Sequence, residues 1–227
     1  MIAFHRRRDC PHPAAAPDPI TRLRRRDGEP YPHVSQYATP ALIPRLVDGS
    51  ARAEDDPAWA TTGACCPAGY AFWAHRMCGV AALAGLVEHR RGERLELVPT
   101  AEDLLDVGGY VLTPERVHGL VYAPLVELLR TRWGIGARVA VDLPAADLAR
   151  EVAAGALAIA SVHPAVRRAP EPPPARGGHL VTLWAADDDG VRLTNPSGLP
   201  GHSQHARLPV DVLARYYAGR AVVVEPA

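Results

Sequence analysis

The sequence contains no lysine, since all 25 of its basic residues other than histidine are arginine. This absence excludes chemistry that depends on a lysine amine, such as Schiff-base catalysis or a P-loop nucleotide site. The formal net charge is +0, whereas a dedicated nucleic-acid-binding protein usually shows a basic face. No apolar run reaches the length of a membrane span, and no apolar stretch follows the charged N-terminus as in a secretory signal. We therefore expect a cytoplasmic protein with no nucleic-acid and no membrane partner.

Metal-binding patterns are also scarce. The four cysteines include no CxxC pair, which argues against a zinc ribbon. His202 and His205 have an HxxH spacing, but a metal would need further ligands. We predict neither a metal site nor a cofactor, and the sequence leaves the oligomeric state open.

The chain has 227 residues, of which 48% are hydrophobic, so it can bury a sizeable core. Residues 1–30 are rich in Arg, Pro, Asp and Ala without apolar periodicity, and we expect them to form a flexible arm. We expect residues 31–227 to form a single domain. Residues 31–77 look irregular, but their aromatic side chains predict that the segment wraps the core: Tyr31, Tyr37, Trp59, Tyr70, Phe72 and Trp73.

Helical patterns come first and strand patterns follow, which indicates an α+β fold. Helices are predicted over Cys78–Arg90, over Thr113–Trp133 with a break at Pro124, over Pro144–Ala154 and over Pro209–Tyr217. Strands are predicted over Ala156–Val162, His179–Trp184, Val191–Thr194 and Ala221–Glu225.

One cysteine stands where a helix should begin. At that position the positive end of the helix macrodipole favours a thiolate for Cys78, and a thiolate is a nucleophile. Such a nucleophile needs a histidine as base and a third group that orients the imidazole. His179 opens a strand directly after Gly177 and Gly178, and Asn195 ends the next strand at the same end of the hairpin.

The register of that hairpin can be checked. A two-residue turn at Asp188 and Asp189 puts His179 and Asn195 on opposite faces of a regular sheet. An odd loop or a β-bulge returns them to one face, and we predict one of these two.

These residues resemble papain-like cysteine peptidases, and most of all the bacteriocin-processing group that cleaves leaders after a double glycine. The resemblance covers roughly residues 70–200 and lies in Cys-Gly-Val-Ala-Ala-Leu, Gly-Gly-His-Leu-Val and Asn-Pro. It implies a papain-like fold, with the nucleophile at a helix N-terminus packed on an antiparallel sheet that carries His and Asn. It also implies Cys78 as nucleophile, His179 as base and Asn195 as the orienting residue.

One position departs from the family pattern. The family usually has Gln six residues before the cysteine as an oxyanion donor, and this chain has Phe72. Candidates for the missing donor are Tyr70, Trp73, His75 and Gln36.

Further residues are candidates for the substrate cleft. Gly177, Gly178 and His163 are candidates for substrate contacts. Arg167 and Arg168 lie in the loop before His179. We interpret them as solvated loop residues, with binding of a substrate carboxylate or phosphate as the alternative.

The resemblance implies acyl transfer through an acyl-enzyme. A peptidase or amidase is the first hypothesis, and the substrate is then a peptide, an amide or another acyl compound, either free or bound to a carrier protein. An amide- or ester-forming acyltransferase that uses the same triad is the second hypothesis. A catalytically silent binding module is the third, because the usual oxyanion donor is missing.

Overall fold

A computed structural model describes residues 31–226. The predicted N-terminal arm, residues 1–30, lies outside the described residues. The helices are α1 (Ile43–Asp48), α2 (Pro67–Ala74), α3 (Cys78–Arg91), α4 (Leu97–Asp106), α5 (Tyr122–Trp133), α6 (Ala145–Ala153) and α7 (Val210–Tyr216). The strands are β1 (Tyr110–Leu112), β2 (Val117–Gly119), β3 (Ala137–Ala140), β4 (Leu157–Val162), β5 (His179–Asp187), β6 (Gly190–Thr194), β7 (His205–Leu208) and β8 (Tyr217–Val224).

Six of the strands form one antiparallel sheet in the order β3-β8-β4-β5-β6-β7, and β1 and β2 form a separate hairpin. The predicted α+β class is confirmed. Strand β4 lies at the centre and every residue in it is buried, because the sheet is covered on both faces. Leu157 and Ile159 pack in the cluster that contains α3, whereas Ala158 and Ala160 pack in the cluster that contains α6 and α7.

The segment 31–77 is more ordered than expected, since it contains α1 and α2. Its aromatic side chains do contribute to the core, as predicted. Tyr31, Tyr37, Tyr70, Phe72 and Trp73 are buried, and Trp59 packs against the same cluster.

The helix predicted over Thr113–Trp133 is wrong in its first half. Thr113 to Arg116 form the turn of the β1–β2 hairpin, in which the Thr113 N–H donates to Arg116 O at 2.9 Å. The proline of a Thr-Pro pair suits position i+1 of a tight turn as well as it suits the first position of a helix. Pro124 does not break a helix either, because it lies in the first turn of α5, where no backbone donor is needed.

The β5–β6 hairpin settles the register question. Asp187 pairs with Gly190 across a two-residue turn, so a regular ladder would place His179 and Asn195 on opposite faces of the sheet. The register shifts between Leu183 and Ala185, which leaves Trp184 as an extra residue in β5. The predicted bulge is therefore confirmed.

No helix within residues 31–226 combines the length and the apolar character that a bilayer crossing requires.

Candidate active site

Cys78 is the first residue of α3, which places its half-buried thiol at the positive end of that helix. The next residue, Gly79, is closely surrounded. A Cβ atom there would lie 2.7 Å from Leu120 Cδ2 and 2.8 Å from Leu180 Cδ1. The helix start is therefore held closely against the beginning of β5 and the residue that follows β2.

The thiol of Cys78 is protonated at neutral pH. Burial raises the pKa of Cys78 and is the largest influence on it. The backbone N–H groups of Leu180 and Gly79 and the charge of Arg167 lower this pKa, but they do not cancel the effect of burial. The helix start thus lowers the pKa of Cys78, as expected, but burial outweighs this effect, and Cys78 needs a base to become a nucleophile.

His179 and Asn195 are in direct contact. His179 is the first residue of β5, Asn195 follows β6, and both side chains are buried. The distance from His179 Nε2 to Asn195 Oδ1 is 2.8 Å. The bulge in β5 makes this contact possible, because it returns both residues to one side of the hairpin.

The neighbouring Ser197 fixes which nitrogen of His179 carries the proton. Its backbone N–H donates to Asn195 Oδ1 at 3.0 Å. A backbone N–H can only donate, so the amide atom that faces it is the oxygen. His179 Nε2 must then donate its proton to this oxygen, and Nδ1 is left with a free lone pair. This is the tautomer that a general base requires.

The imidazole of His179 is neutral in the resting site. Its pKa is lowered to about 3, mainly by burial and also by the charge of Arg167, while the bond to Asn195 acts in the opposite direction. Within residues 31–226 no hydrogen bond joins His179 to Cys78. The resting site thus holds a neutral thiol and a neutral imidazole rather than an ion pair.

Cys78 and His179 line one cleft of about 770 Å³. Val121, Val139 and Val141 also line it and expose much of their apolar surface. Within residues 31–226 no Asp or Glu lines it, and its other lining residues include Leu120, Tyr122, Ser161, Gly178, Leu180 and Arg220. This part of the chain therefore gives the cleft apolar surface and positive charge, but no carboxylate.

Of the substrate-contact candidates, Gly178 lines the cleft and Gly177 is buried beside it. Both have positive φ, at 93° and 81° respectively, a conformation that favours glycine. His163 has a structural contact instead. Its Nδ1 accepts the N–H of Ala165 at 3.1 Å and caps the short 3-10 helix Pro164–Arg168.

Three of the four oxyanion candidates make other contacts, and their role as donors stays a prediction. The Tyr70 hydroxyl donates to Asp56 at 3.0 Å and accepts the N–H of Ala38, so its proton points away from the cleft. Trp73 is fully buried, with its ring edge-on to Phe72 and Tyr110: it is a core residue. The exposed His75 is bonded through Nδ1 to the Tyr37 hydroxyl at 3.0 Å.

Gln36 is the fourth candidate, and it lies in a segment that folds back over the site. In this segment His33 Nε2 donates to Asn195 O, and the Gln36 N–H donates to Pro196 O, each at 2.8 Å. The side-chain amide of Gln36 is buried and donates to Ala74 O at 2.8 Å. One amide N–H remains beyond this bond, so Gln36 stays a prediction for the missing donor.

Arg167 was expected to be solvated, and this expectation is wrong. Its Nε donates to Ser197 Oγ at 2.8 Å and to Ser197 O at 3.0 Å, while Nη1 donates to Pro164 O at 3.3 Å. Arg168 does point to solvent. The sequence pattern had no signal for Ser197, which touches both Arg167 and His179.

No protein-family model and no curated protein matches the chain. Among solved structures, the chain is similar to the peptidase domain of Streptococcus ComA, a bifunctional ABC transporter involved in a quorum sensing pathway. The identity is 13% and the TM-score 0.43, over 67% of this chain and 93% of that one. The chain is also similar to a double glycine motif protease from an AMS/PCAT transporter, solved in complex with the leader peptide. The identity is 16% and the TM-score 0.41, over 66% of this chain and 84% of that one.

A C39-like peptidase from Bacillus anthracis gives 15% identity and a TM-score of 0.49, over 67% of this chain and 90% of that one.

Proposed function

We propose that this chain is a cysteine peptidase or amidase that works by acyl transfer. Cys78 is the nucleophile, His179 is the general base and Asn195 orients His179. The observation that carries the proposal is the bond from His179 Nε2 to Asn195 Oδ1. The direction of this bond is fixed and leaves Nδ1 unprotonated, and His179 lines the same cleft as Cys78.

The reaction starts from neutral groups. As the sulfur of Cys78 attacks the substrate carbonyl, its proton moves to His179 Nδ1 and the carbonyl electron pair moves to oxygen. The C–N bond then breaks, and the leaving amine takes the proton from His179. Water attacks the resulting thioester with His179 again as base, which releases the acid and restores the thiol.

Asn195 acts through His179. The imidazolium that forms during each step keeps its Nε2–H bond to Asn195 Oδ1, and the Ser197 N–H prevents the amide from turning round. The positive charge is costly in this buried setting, so we expect it to exist only during proton transfer.

The test is burst kinetics with p-nitrophenyl acetate. Acylation of one thiol releases one equivalent of nitrophenolate before slower turnover begins. The burst should be lost in Cys78→Ala and should fall by about 10²-fold or more in rate in His179→Ala. Cys66→Ala is the matched control, because Cys66 is the other free thiol of the described residues and should leave the burst unchanged.

A burst that survives in Cys78→Ala contradicts the proposal, and so does an equal rate in His179→Ala. The same experiment identifies the acyl acceptor. Faster turnover and amide formation on addition of an amine favour an acyltransferase, whereas turnover that is insensitive to the amine favours a hydrolase.

A further inference from the structure

Arg167 is a half-buried cation without an acidic partner. No Asp or Glu within residues 31–226 lies within ion-pair distance of it, and its three hydrogen bonds go to a serine and a backbone carbonyl. These bonds use Nε and Nη1, so Nη2 has N–H donors to spare. A guanidinium withdrawn from water without a counter-charge is costly, and buried charges in proteins are usually paired.

The guanidinium is linked to His179 through Ser197. Ser197 Oγ, which accepts from Arg167 Nε at 2.8 Å, lies 3.1 Å from His179 Nε2. The charge is close enough to Cys78, His179 and Tyr37 to lower the pKa of each. The groups that it acts on are neutral at rest, so none of them balances its charge.

We propose that Arg167 provides an anion-binding position beside Cys78, where a negatively charged oxygen binds during the reaction. This inference rests on the proposed function, because it takes Cys78 as the nucleophile. Two sources can supply the oxygen: a carboxylate on an acidic acyl donor, or the oxyanion that forms when the carbonyl is attacked. The second source would also compensate for Phe72, which cannot donate a hydrogen bond.

The test compares two alkylating reagents that differ in charge. Iodoacetate and iodoacetamide both form an S–CH2 bond and release iodide, but only iodoacetate is an anion. Their rates at Cys78 are measured by mass spectrometry at about pH 8.5, close to the ordinary pKa of a thiol. The rate with iodoacetate is divided by the rate with iodoacetamide at the same cysteine, which removes the influence of thiolate content. Dividing this ratio at Cys78 by the ratio at Cys66 then removes the difference in reactivity between the two reagents.

The ratio should fall by about fivefold in Arg167→Gln, the change expected when the attraction of unit charges a few ångströms apart in a watery site is removed. Arg167→Lys keeps the charge and should keep most of the ratio. Arg168→Gln is the matched control, because Arg168 is the adjacent residue of the same 3-10 helix and is exposed. Its ratio should equal that of the parent protein.

A merely structural role of Arg167 predicts a different result. Displacement of Ser197 or His179 would slow both reagents together and leave the ratio unchanged, and an unchanged ratio in Arg167→Gln overturns the inference. If Cys78→Ala retains the p-nitrophenyl acetate burst, it is the proposed function that fails. The two failures are therefore distinguishable.

A neutral N-acetyl dipeptide aldehyde separates the two sources of the anion. It forms a tetrahedral adduct on Cys78 without bringing a carboxylate. Weaker inhibition of Arg167→Gln than of Arg167→Lys assigns the position to the oxyanion. Equal inhibition, together with the changed alkylation ratio, assigns it to a carboxylate of the substrate.

Discussion

Acid should destabilise this protein through His179. The folded pKa of His179 is about 3, below the ordinary value of 6.5 that applies to the unfolded chain. Between these values the unfolded chain binds a proton that the folded protein does not bind, so the free energy of unfolding falls as the pH falls. The slope is about 1.4 kcal/mol per pH unit, which gives a loss of about 2 kcal/mol at about pH 5.

Urea unfolding at neutral pH and at about pH 5 measures this loss. The comparison protein is His179→Gln, whose amide N–H can still donate to Asn195 but does not titrate. His33, His75 and His205 also have lowered pKa values and contribute to the acid sensitivity of both proteins. The difference between the losses of unfolding free energy in the two proteins therefore isolates the contribution of His179.

We expect the parent protein to lose about 2 kcal/mol more than His179→Gln over this interval. His179→Gln is expected to be less stable at every pH, but only the change with pH enters the test. Equal losses in the two proteins would refute the claim that the imidazole is buried in its neutral form.

Three further predictions concern the nucleophile and its surroundings. Asn195→Ala should slow the p-nitrophenyl acetate burst by about 10²-fold, whereas Asn195→Asp keeps an acceptor for the imidazole and should retain most of the rate. Gly79→Ala should lower the free energy of unfolding in urea by about 1–3 kcal/mol through overpacking. The control Gly85→Ala in the same helix should cost less, because its nearest neighbour, Pro32 O, is 3.3 Å away. Alkylation of Cys78 by iodoacetamide should keep rising beyond pH 9.0, its ordinary pKa. A plateau that begins below neutral pH would instead indicate a preformed ion pair.

Local signals in the sequence were enough to place the main elements of the site. Helix α3 begins at Cys78 as predicted, because its apolar residues recur at helical spacing. Strand β5 begins at His179 as predicted, directly after two glycines. The bulge in β5 could be predicted as well, because the two-residue turn and the contact between His179 and Asn195 are compatible only with an extra residue.

Other features depend on tertiary packing, which local patterns do not contain. The sequence shows that Cys78 starts a helix, but the burial that raises its pKa comes from distant segments. Arg167 turns inward because His163 caps a 3-10 helix and Ser197 lies within reach, and neither contact leaves a pattern. Helix α4 was not predicted, although its Pro99 lies in the first turn, where a proline is tolerated.

Peptide mapping of the acylated protein tests the central claim most directly. The protein is mixed with p-nitrophenyl acetate, quenched in acid during the burst and digested, and the acetyl group is located by mass spectrometry. We predict one acetyl group on Cys78 of the parent protein and almost none on Cys78 of His179→Ala. An acetyl group distributed between Cys78 and Cys66, or equal acetylation of Cys78 in His179→Ala, would contradict it.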